Sequence, residues 1–301
     1  MIVRDKPSIW MLFFITKGSV ITDIWAKILI VTAFSIGIYF LDSQYDIVPH
    51  FSLSAMGVFG IAMSLFLSFR NSAAYDRWWE ARKLWGALVG DSRSFARDTR
   101  LFLKDNKHRK RLLYLLAAFT NAHRMNLRFE MQSADLKYWL QKEEVAAVKS
   151  SSAPACYALN LLAEEIAILR EKEILSELGT RVLSERMGMI AMSQAGCERI
   201  ANTPLPFVYS LLIRRTAYLY CFLVPFALID AAGYMAPLFS AIIAYVFFGL
   251  AAVTNHLEHP FYRGPNGLPL DAMCRTIENG LLCSLGKKLR PAIKPQGFLL
   301  E

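Results

Sequence analysis

Four apolar stretches separated by polar ones set the organisation of this chain. They cover residues 25–41, 53–69, 207–229 and 238–254, and the second contains seventeen residues without a charge. A helix of about 20 apolar residues crosses the hydrocarbon core of a bilayer. The pattern therefore predicts an all-α membrane protein with four transmembrane helices per protomer and long helices in water between the second and third.

The second apolar stretch continues as a helix past its last apolar residue. No Gly or Pro interrupts residues 61–85, so we expect one rod that leaves the membrane and enters water. In its apolar half Ile61, Leu65 and Phe69 recur every four residues and form one stripe. Beside it lie small residues of the kind that lets membrane helices approach closely: Gly57, Gly60, Ser64 and Ser68. Packing or lipid contact explains both stripes without any further function.

The long middle of the chain is polar and helical in pattern. Residues 150–154 (SSSAP) form the clearest loop, and Gly179 with Thr180 predicts a second break, between helices 157–178 and 182–201. Five segments follow: an N-terminal interfacial segment 1–24, the first two spans 25–85, a cytoplasmic helical domain 86–206, the last two spans 207–256 and a cytoplasmic C-terminal segment 257–301.

Composition and charge agree with a mixed membrane protein. The chain is 54% apolar and 20% charged, with a net charge of +9. No basic run is interleaved with aromatic residues, which argues against nucleic acid as a partner. The short loops 42–51 and 230–237 carry acids and no Lys or Arg, whereas the middle and both ends are basic, so we expect both termini in the cytoplasm. Arg214 and Arg215, two turns inside the third span, are expected to face protein, water or headgroups.

Motifs for catalysis are absent from the sequence. It has no phosphate-binding glycine loop, zinc-protease helix or nucleophile elbow, so we expect neither an enzyme nor a cofactor. His256, Glu258 and His259 form a weak metal candidate, and a hydrogen-bonded exit from the membrane is the favoured interpretation; we predict no metal site. The five cysteines show no pairing pattern and are expected to be free thiols.

Two short stretches resemble one family. Arg77-Trp78-Trp79 follows Phe69 by eight residues, and His259-Pro260-Phe261 leads into residues 266–271, NGLPLD. With the four-span layout, the chain resembles the bacterial bestrophins over nearly its whole length. That resemblance implies a homopentameric ion channel of the bacterial inner membrane, whose partners are its own copies, membrane lipids and monovalent ions. It also implies a central pore with a narrow neck and a cytoplasmic constriction, the aperture.

The resemblance also assigns roles to residues. Spacing from Arg77 places the neck at Ile61, Leu65 and Phe69, although animal members have an aromatic residue where this chain has Leu65. Counting back from residues 205–207 places the aperture at Leu178, in the loop before Gly179. The calcium clasp of animal members uses an acidic run just after Pro-Phe, and residues 262–267 contain no carboxylate here, so we expect calcium independence.

The sign of the permeant ion is open at this point. Between residues 164 and 185 six acids face three bases, and this excess, together with the lost aromatic at Leu65, favours monovalent cations such as sodium. The acids are Glu164, Glu165, Glu171, Glu173, Glu177 and Glu185. Pairing at i, i+4 on solvated helix faces is the competing interpretation of these charges. The alternatives are a chloride channel of the same architecture and a membrane-anchored helical scaffold that conducts nothing.

Overall fold

The computed structural model describes residues 1–3, 8, 10, 15–16, 18–130 and 134–300. Most of the predicted interfacial segment 1–24 falls outside the described residues. The described part is helical, and its only β-type pairing is isolated bridges near the chain ends. The helices are α1 Ile21–Tyr45, α2 Leu53–Phe102, α3 Asn106–Arg128, α4 Leu136–Trp139, α5 Lys142–Ser150, α6 Pro154–Glu171, α7 Glu177–Asn202, α8 Phe207–Ala232, α9 Ala236–Glu258 and α10 Leu270–Ser284.

The chain divides into two compact units. The apolar unit takes its described residues from 4–78 and 204–259, and the polar unit from 1–3, 79–203 and 260–300. Three stretches are long and apolar enough to cross a membrane, namely Ile21–Tyr45, Leu53–Phe102 and Phe207–Glu258. The last contains both α8 and α9, which a 3₁₀ turn at Gly233–Met235 separates. The all-helical expectation is confirmed.

Within the apolar unit, one face of α2 packs against α8. Met63 and Leu67 are buried in a cluster with Ile213, and Tyr220 lies beside the preceding turn of α2. Gly60 makes this close approach possible, because a Cβ built there would lie 3.0 Å from the Cζ of Tyr220. Among the small residues of the predicted stripe, Gly60 is thus a packing position, whereas Gly57 faces open space.

A buried ion pair joins α2 to the end of α9. Arg70 is fully buried, and its Nη2 lies 3.1 Å from Glu258 Oε2 and donates to Asn255 Oδ1 at 3.0 Å. Arg77, two turns later, donates from Nε to the Glu258 carbonyl at 2.8 Å. A charge removed from water needs such partners, because desolvation costs several kcal/mol per ion.

In the polar unit, one of the two predicted helix breaks differs from the structure. The loop after α5 lies where residues 150–154 predicted it, but the break predicted at Gly179 and Thr180 is wrong. The chain turns earlier, where Glu173 adopts a left-handed backbone (φ 57°) and Ser176 Oγ accepts the Gly179 N–H at 3.1 Å as the N-cap of α7. Gly179 lies in the first turn of α7, where a Cβ would approach Phe102 Cβ to 3.0 Å, so it serves packing rather than a break.

The polar unit buries a histidine between aromatic rings. His123 on α3 is fully buried and stacks on Trp85 and Phe119, with ring centroids 5.5 and 5.8 Å apart. Burial disfavours the imidazolium and lowers the pKa of His123 to about 3. The folded polar unit therefore holds this ring neutral.

We expect His123 to make the polar unit sensitive to acid. The unfolded chain binds a proton near pH 6.5 and the folded chain does not until about pH 3, so stability is complete above the unfolded pKa and falls as pH drops through this window. At about pH 5 the loss is about 2 kcal/mol. The thermal midpoint of purified H123L should depend less on pH than that of the wild type, whereas H108L, which alters a partly exposed histidine, should keep the wild-type slope. Equal slopes in H123L and wild type would contradict this.

Removing the partner of Arg70 should destabilise the apolar unit severely. In E258Q the guanidinium stays buried without a counter-charge, a change that costs about 3–5 kcal/mol. The matched control is E185Q, which breaks the exposed pair between Arg181 and Glu185 and should cost at most about 1 kcal/mol. Thermal unfolding in detergent measures both, and similar midpoints for the two variants would show that the buried pair is dispensable.

Candidate functional site

The predicted neck residues lie on an outward face of α2. Ile61, Leu65 and Phe69 are 73%, 53% and 58% exposed in the single chain. Their neighbours Met63 and Leu67 are buried on the opposite side against α8. The stripe thus lies outside the buried clusters of the described part of its unit, and its side chains carry no group that could replace the water around an ion.

The predicted aperture residue sits in a different setting from the one expected. Leu178 is not in a loop but in the first turn of α7, where it is 64% exposed. The expectation placed it in a loop because Gly179 was interpreted as a helix breaker. Leu178 still projects from the unit as an unburied apolar side chain, next to the turn that precedes α7.

Part of the acidic excess around Leu178 is neutralised by pairing. Glu165 lies 3.5 Å from Arg111, and Glu185 pairs with Arg181 at 2.9 Å in the i, i+4 arrangement. No ion pair in the described part of the chain involves the other four acids or the two basic residues among them. These are Glu164, Glu171, Glu173 and Glu177, with Arg170 and Lys172. Residues 164–185 therefore keep an excess of acids without ion pairs, and Glu177 directly precedes Leu178.

Residues of the two stretches that resemble the bestrophins make packing contacts and hydrogen bonds within the chain. Arg77 bonds the end of α9, and Trp78 stacks on Tyr75 with ring centroids 6.3 Å apart. The carbonyl of Pro260 accepts the Leu268 N–H at 2.7 Å, and Phe261 is 2% exposed. Trp79 is about half exposed.

The segment 262–267 contains a basic residue, Arg263, at the place where the calcium clasp of animal bestrophins has acidic residues. Arg263 donates from Nε to Glu130 at 2.7 Å and from Nη1 to Asp271 at 3.0 Å. Asp271 also accepts bonds from Arg124 and Arg128, both at 2.7 Å. Burial opposes ionisation of Asp271, but the surrounding arginines outweigh it and hold the pKa of this carboxyl below its usual value. Guanidinium groups thus already occupy the carboxylate oxygens here.

The weak metal candidate is engaged in ion pairs. Glu258 pairs with Arg70, and His256 Nε2 lies 2.9 Å from Asp23. Both side chains thus have partners within the chain, and the hydrogen-bonded membrane exit stays a prediction.

The structure brings together one cluster that sequence reasoning missed. His50 bridges Asp42 at 2.9 Å and Asp230 at 2.5 Å, with Asp46 nearby. Hydrogen bonds to Asp42 and then Asp230 raise the pKa of His50. The acids of both short loops were visible in the sequence. Nothing in the sequence indicated that Asp42 and Asp230, which are 188 residues apart, meet at His50. The two ring nitrogens of His50 thus bond one carboxylate from each short loop, Asp42 and Asp230.

The sequence is similar to a known family and to named bacterial proteins. A family model described as "Bacterial/Fungal Bestrophin protein" matches residues 1–283. The chain is 41% identical to the voltage-dependent anion channel-forming protein mll4386 of Mesorhizobium japonicum, over 98% of this chain and 96% of that protein. It is 39% identical to the voltage-dependent anion channel-forming protein YneE of Escherichia coli, over 94% of this chain and 93% of that protein.

A solved structure agrees with the sequence matches. The crystal structure of a bacterial bestrophin homologue from Klebsiella pneumoniae superposes with a TM-score of 0.83 at 37% identity, covering 88% of this chain and 99% of that one. The family match, the relatives and the fold coincide over most of the chain. The protein therefore belongs to the bacterial and fungal bestrophin family.

Proposed function

We propose that the protein is a bestrophin-type ion channel, with its pore on a symmetry axis between copies of the chain and its neck formed by Ile61, Leu65 and Phe69. The observation that carries this is the exposed apolar stripe on α2. In a ring of copies the stripes meet around the axis and form a dry constriction. Ions lose hydration there, and such a constriction gates by dewetting.

Each chain contributes four spans in this proposal. At 1.5 Å per residue α8 and α9, with 26 and 23 residues, are each longer than a hydrocarbon core of about 30 Å. The turn at Gly233–Met235 then lies outside the membrane core. Both termini are in the cytoplasm, as the distribution of Lys and Arg favours, and the membrane is the bacterial inner one, as the family resemblance implies.

Five copies form the ring in this proposal. A pore must form between copies, because cyclic assembly around one axis is how identical chains enclose a channel. The number five comes from the family resemblance. The polar unit, with Leu178 on its surface, forms the second constriction in the cytoplasm.

Two observations bear on the sign of the permeant ion, and they differ. The names of the relatives mll4386 and YneE contain the words anion channel-forming, which makes anions the first candidate and weighs against the cation preference expected from the sequence. The four acids near Leu178 that have no ion pair favour cations, the second candidate, because negative charge at a pore mouth raises the local cation concentration.

Calcium independence rests on Arg263. A calcium site needs six or more oxygen ligands, and the oxygens of Glu130 and Asp271 instead bind guanidinium groups. Arg263 provides within the chain the positive charge that a bound cation would supply. The segment therefore has no requirement for calcium to hold its carboxylates together.

Truncating the neck should raise conductance. In L65A and F69A the dry constriction widens, and a barrier lowered by about 1 kcal/mol raises single-channel conductance about fivefold. F66A is the matched control, because Phe66 lines a small apolar pocket with Tyr209 and Leu212 on α8 rather than the stripe. Single-channel recording in planar bilayers measures all three variants. Equal increases in F66A and F69A would remove the neck assignment.

Reversal potentials should decide the ion. Under a sodium chloride gradient, an anion channel reverses near the chloride equilibrium potential and a cation channel near that of sodium. If the acids near Leu178 select cations, E177Q shifts the reversal potential from near that of sodium toward that of chloride. If anions permeate, the reversal potential already lies near that of chloride, and E177Q keeps it there.

Open probability should be the same in micromolar calcium and in chelator, and a steep calcium dependence would contradict the role given to Arg263.

The oligomeric state of the purified protein provides a further check on the proposed pore. The mass of the detergent-solubilised protein should equal five chains, the number that the family resemblance implies for a pore between copies. A monomer or dimer would exclude a pore between copies. A pentamer without current in bilayers would favour the non-conducting scaffold.

A further inference from the structure

A cavity of about 260 Å³ lies within the apolar unit, where α1, α8 and α9 meet. Lys27 of α1 and Arg214 of α8 line it, six and seven residues after the first residues of their helices, while His256 of α9 lies two residues before the end of that helix. At 1.5 Å per residue, these side chains start within about 10 Å of one common end of the three helices. In the membrane placement of the proposed function, this is the level at which headgroups meet the hydrocarbon core.

Positive charge in the cavity exceeds its counter-charge. Arg214 donates to Asn255 Oδ1 at 2.6 Å, and the buried Arg70 donates to the same oxygen at 3.0 Å. Of the nearby carboxylates, Glu258 pairs with Arg70, and Asp23, which itself lines the cavity, lies 2.9 Å from His256 Nε2. Among the described residues, neither Arg214 nor Lys27 has an ion-pair partner.

Two further polar features face the same space. Lys27 Nζ lies 5.8 Å from the ring centroid of Tyr218 and 6.0 Å from that of Phe248, so aromatic faces hold its ammonium at the cavity. His256 Nδ1 is buried and has no hydrogen-bond partner in the described part of the chain. A buried ring nitrogen in this state indicates a missing partner.

The rest of the wall is apolar. Ala217, Ala252 and Phe248 line the cavity below the charged groups, and the two alanines leave room beside the aromatic ring. A ligand that fits both parts has a negatively charged oxygen-rich end and a hydrocarbon end. An anionic phospholipid has this form, and basic pockets between membrane helices are suited to its headgroup.

We infer that this cavity binds the phosphate of an anionic phospholipid, with Lys27 and Arg214 contacting the phosphate oxygens and an acyl chain along Ala252 and Phe248. The inference rests on the membrane placement in the proposed function and is independent of conduction. A zwitterionic lipid fits less well, because its ammonium adds positive charge to a site where Lys27 and Arg214 already outnumber the one lining carboxylate, Asp23. The lipid also supplies the counter-charge that Arg214 lacks.

Native mass spectrometry of the full chain in detergent tests this. With phosphatidylglycerol and phosphatidylcholine of identical acyl chains, retention of phosphatidylglycerol should be about tenfold higher. R214Q should lower that retention about tenfold, the effect of losing one charge-assisted hydrogen bond. R215Q is the matched control, with the same charge change one residue along on a side chain that does not line the cavity. R214K should keep most of the binding, which separates charge from folding damage.

Three results would overturn the inference. Equal losses in R214Q and R215Q would show general attraction to a basic surface. Equal retention of the two lipids would show that the headgroup charge is not recognised. Displacement of phosphatidylglycerol by millimolar sodium phosphate would identify free phosphate as the ligand. Bilayer currents from R214Q separate this test from that of the channel, because a conducting variant without lipid retention leaves the channel intact.

Discussion

The burial of Arg70 constrains how the helices of the apolar unit pack. A guanidinium cannot enter a low-dielectric interior alone, and Glu258 and Asn255 at the end of α9 supply its counter-charge and accept hydrogen bonds from its Nη2. Those partners fix the rotation of α2 about its own axis. With Arg70 turned inward, Met63 and Leu67 also face the interior, and the stripe that contains Leu65 must face outward. The helix cannot rotate to hide the stripe without expelling a paired charge.

The same pair organises the charges around it. Arg77 binds the carbonyl of Glu258, and Arg214 shares the amide oxygen of Asn255. Three guanidinium groups at the end of α9 therefore share one carboxylate, one side-chain amide and one backbone carbonyl, so a single negative charge faces three positive ones. Because Arg70 takes the carboxylate of Glu258, Arg214 is left with the neutral amide of Asn255. The burial of Arg70 thus explains the shortage of negative charge in the cavity beside Lys27.

Sequence reasoning succeeded where the physical signal is local. The apolar runs locate α1, α8 and α9 within a few residues, because lipid-crossing helices need continuous apolar length. It failed at Gly179, because a glycine required for contact with Phe102 looks the same in sequence as a helix breaker. Arg70 and Glu258 were missed as a pair, since 188 residues separate them and the charge of Arg70 fits a helix that enters water equally well. The charges near Leu178 could be counted from the sequence, but only the structure separates paired from unpaired acids.

The outward stripe of α2 has a consequence for genetics. In the proposed ring every copy supplies the same side chains to one shared constriction, so a cell that makes two versions of the chain assembles rings of mixed composition. A substitution at Phe69 then alters most rings even when half of the chains are normal, and its effect is dominant. A substitution that prevents folding, by contrast, removes its own chain from assembly and is recessive.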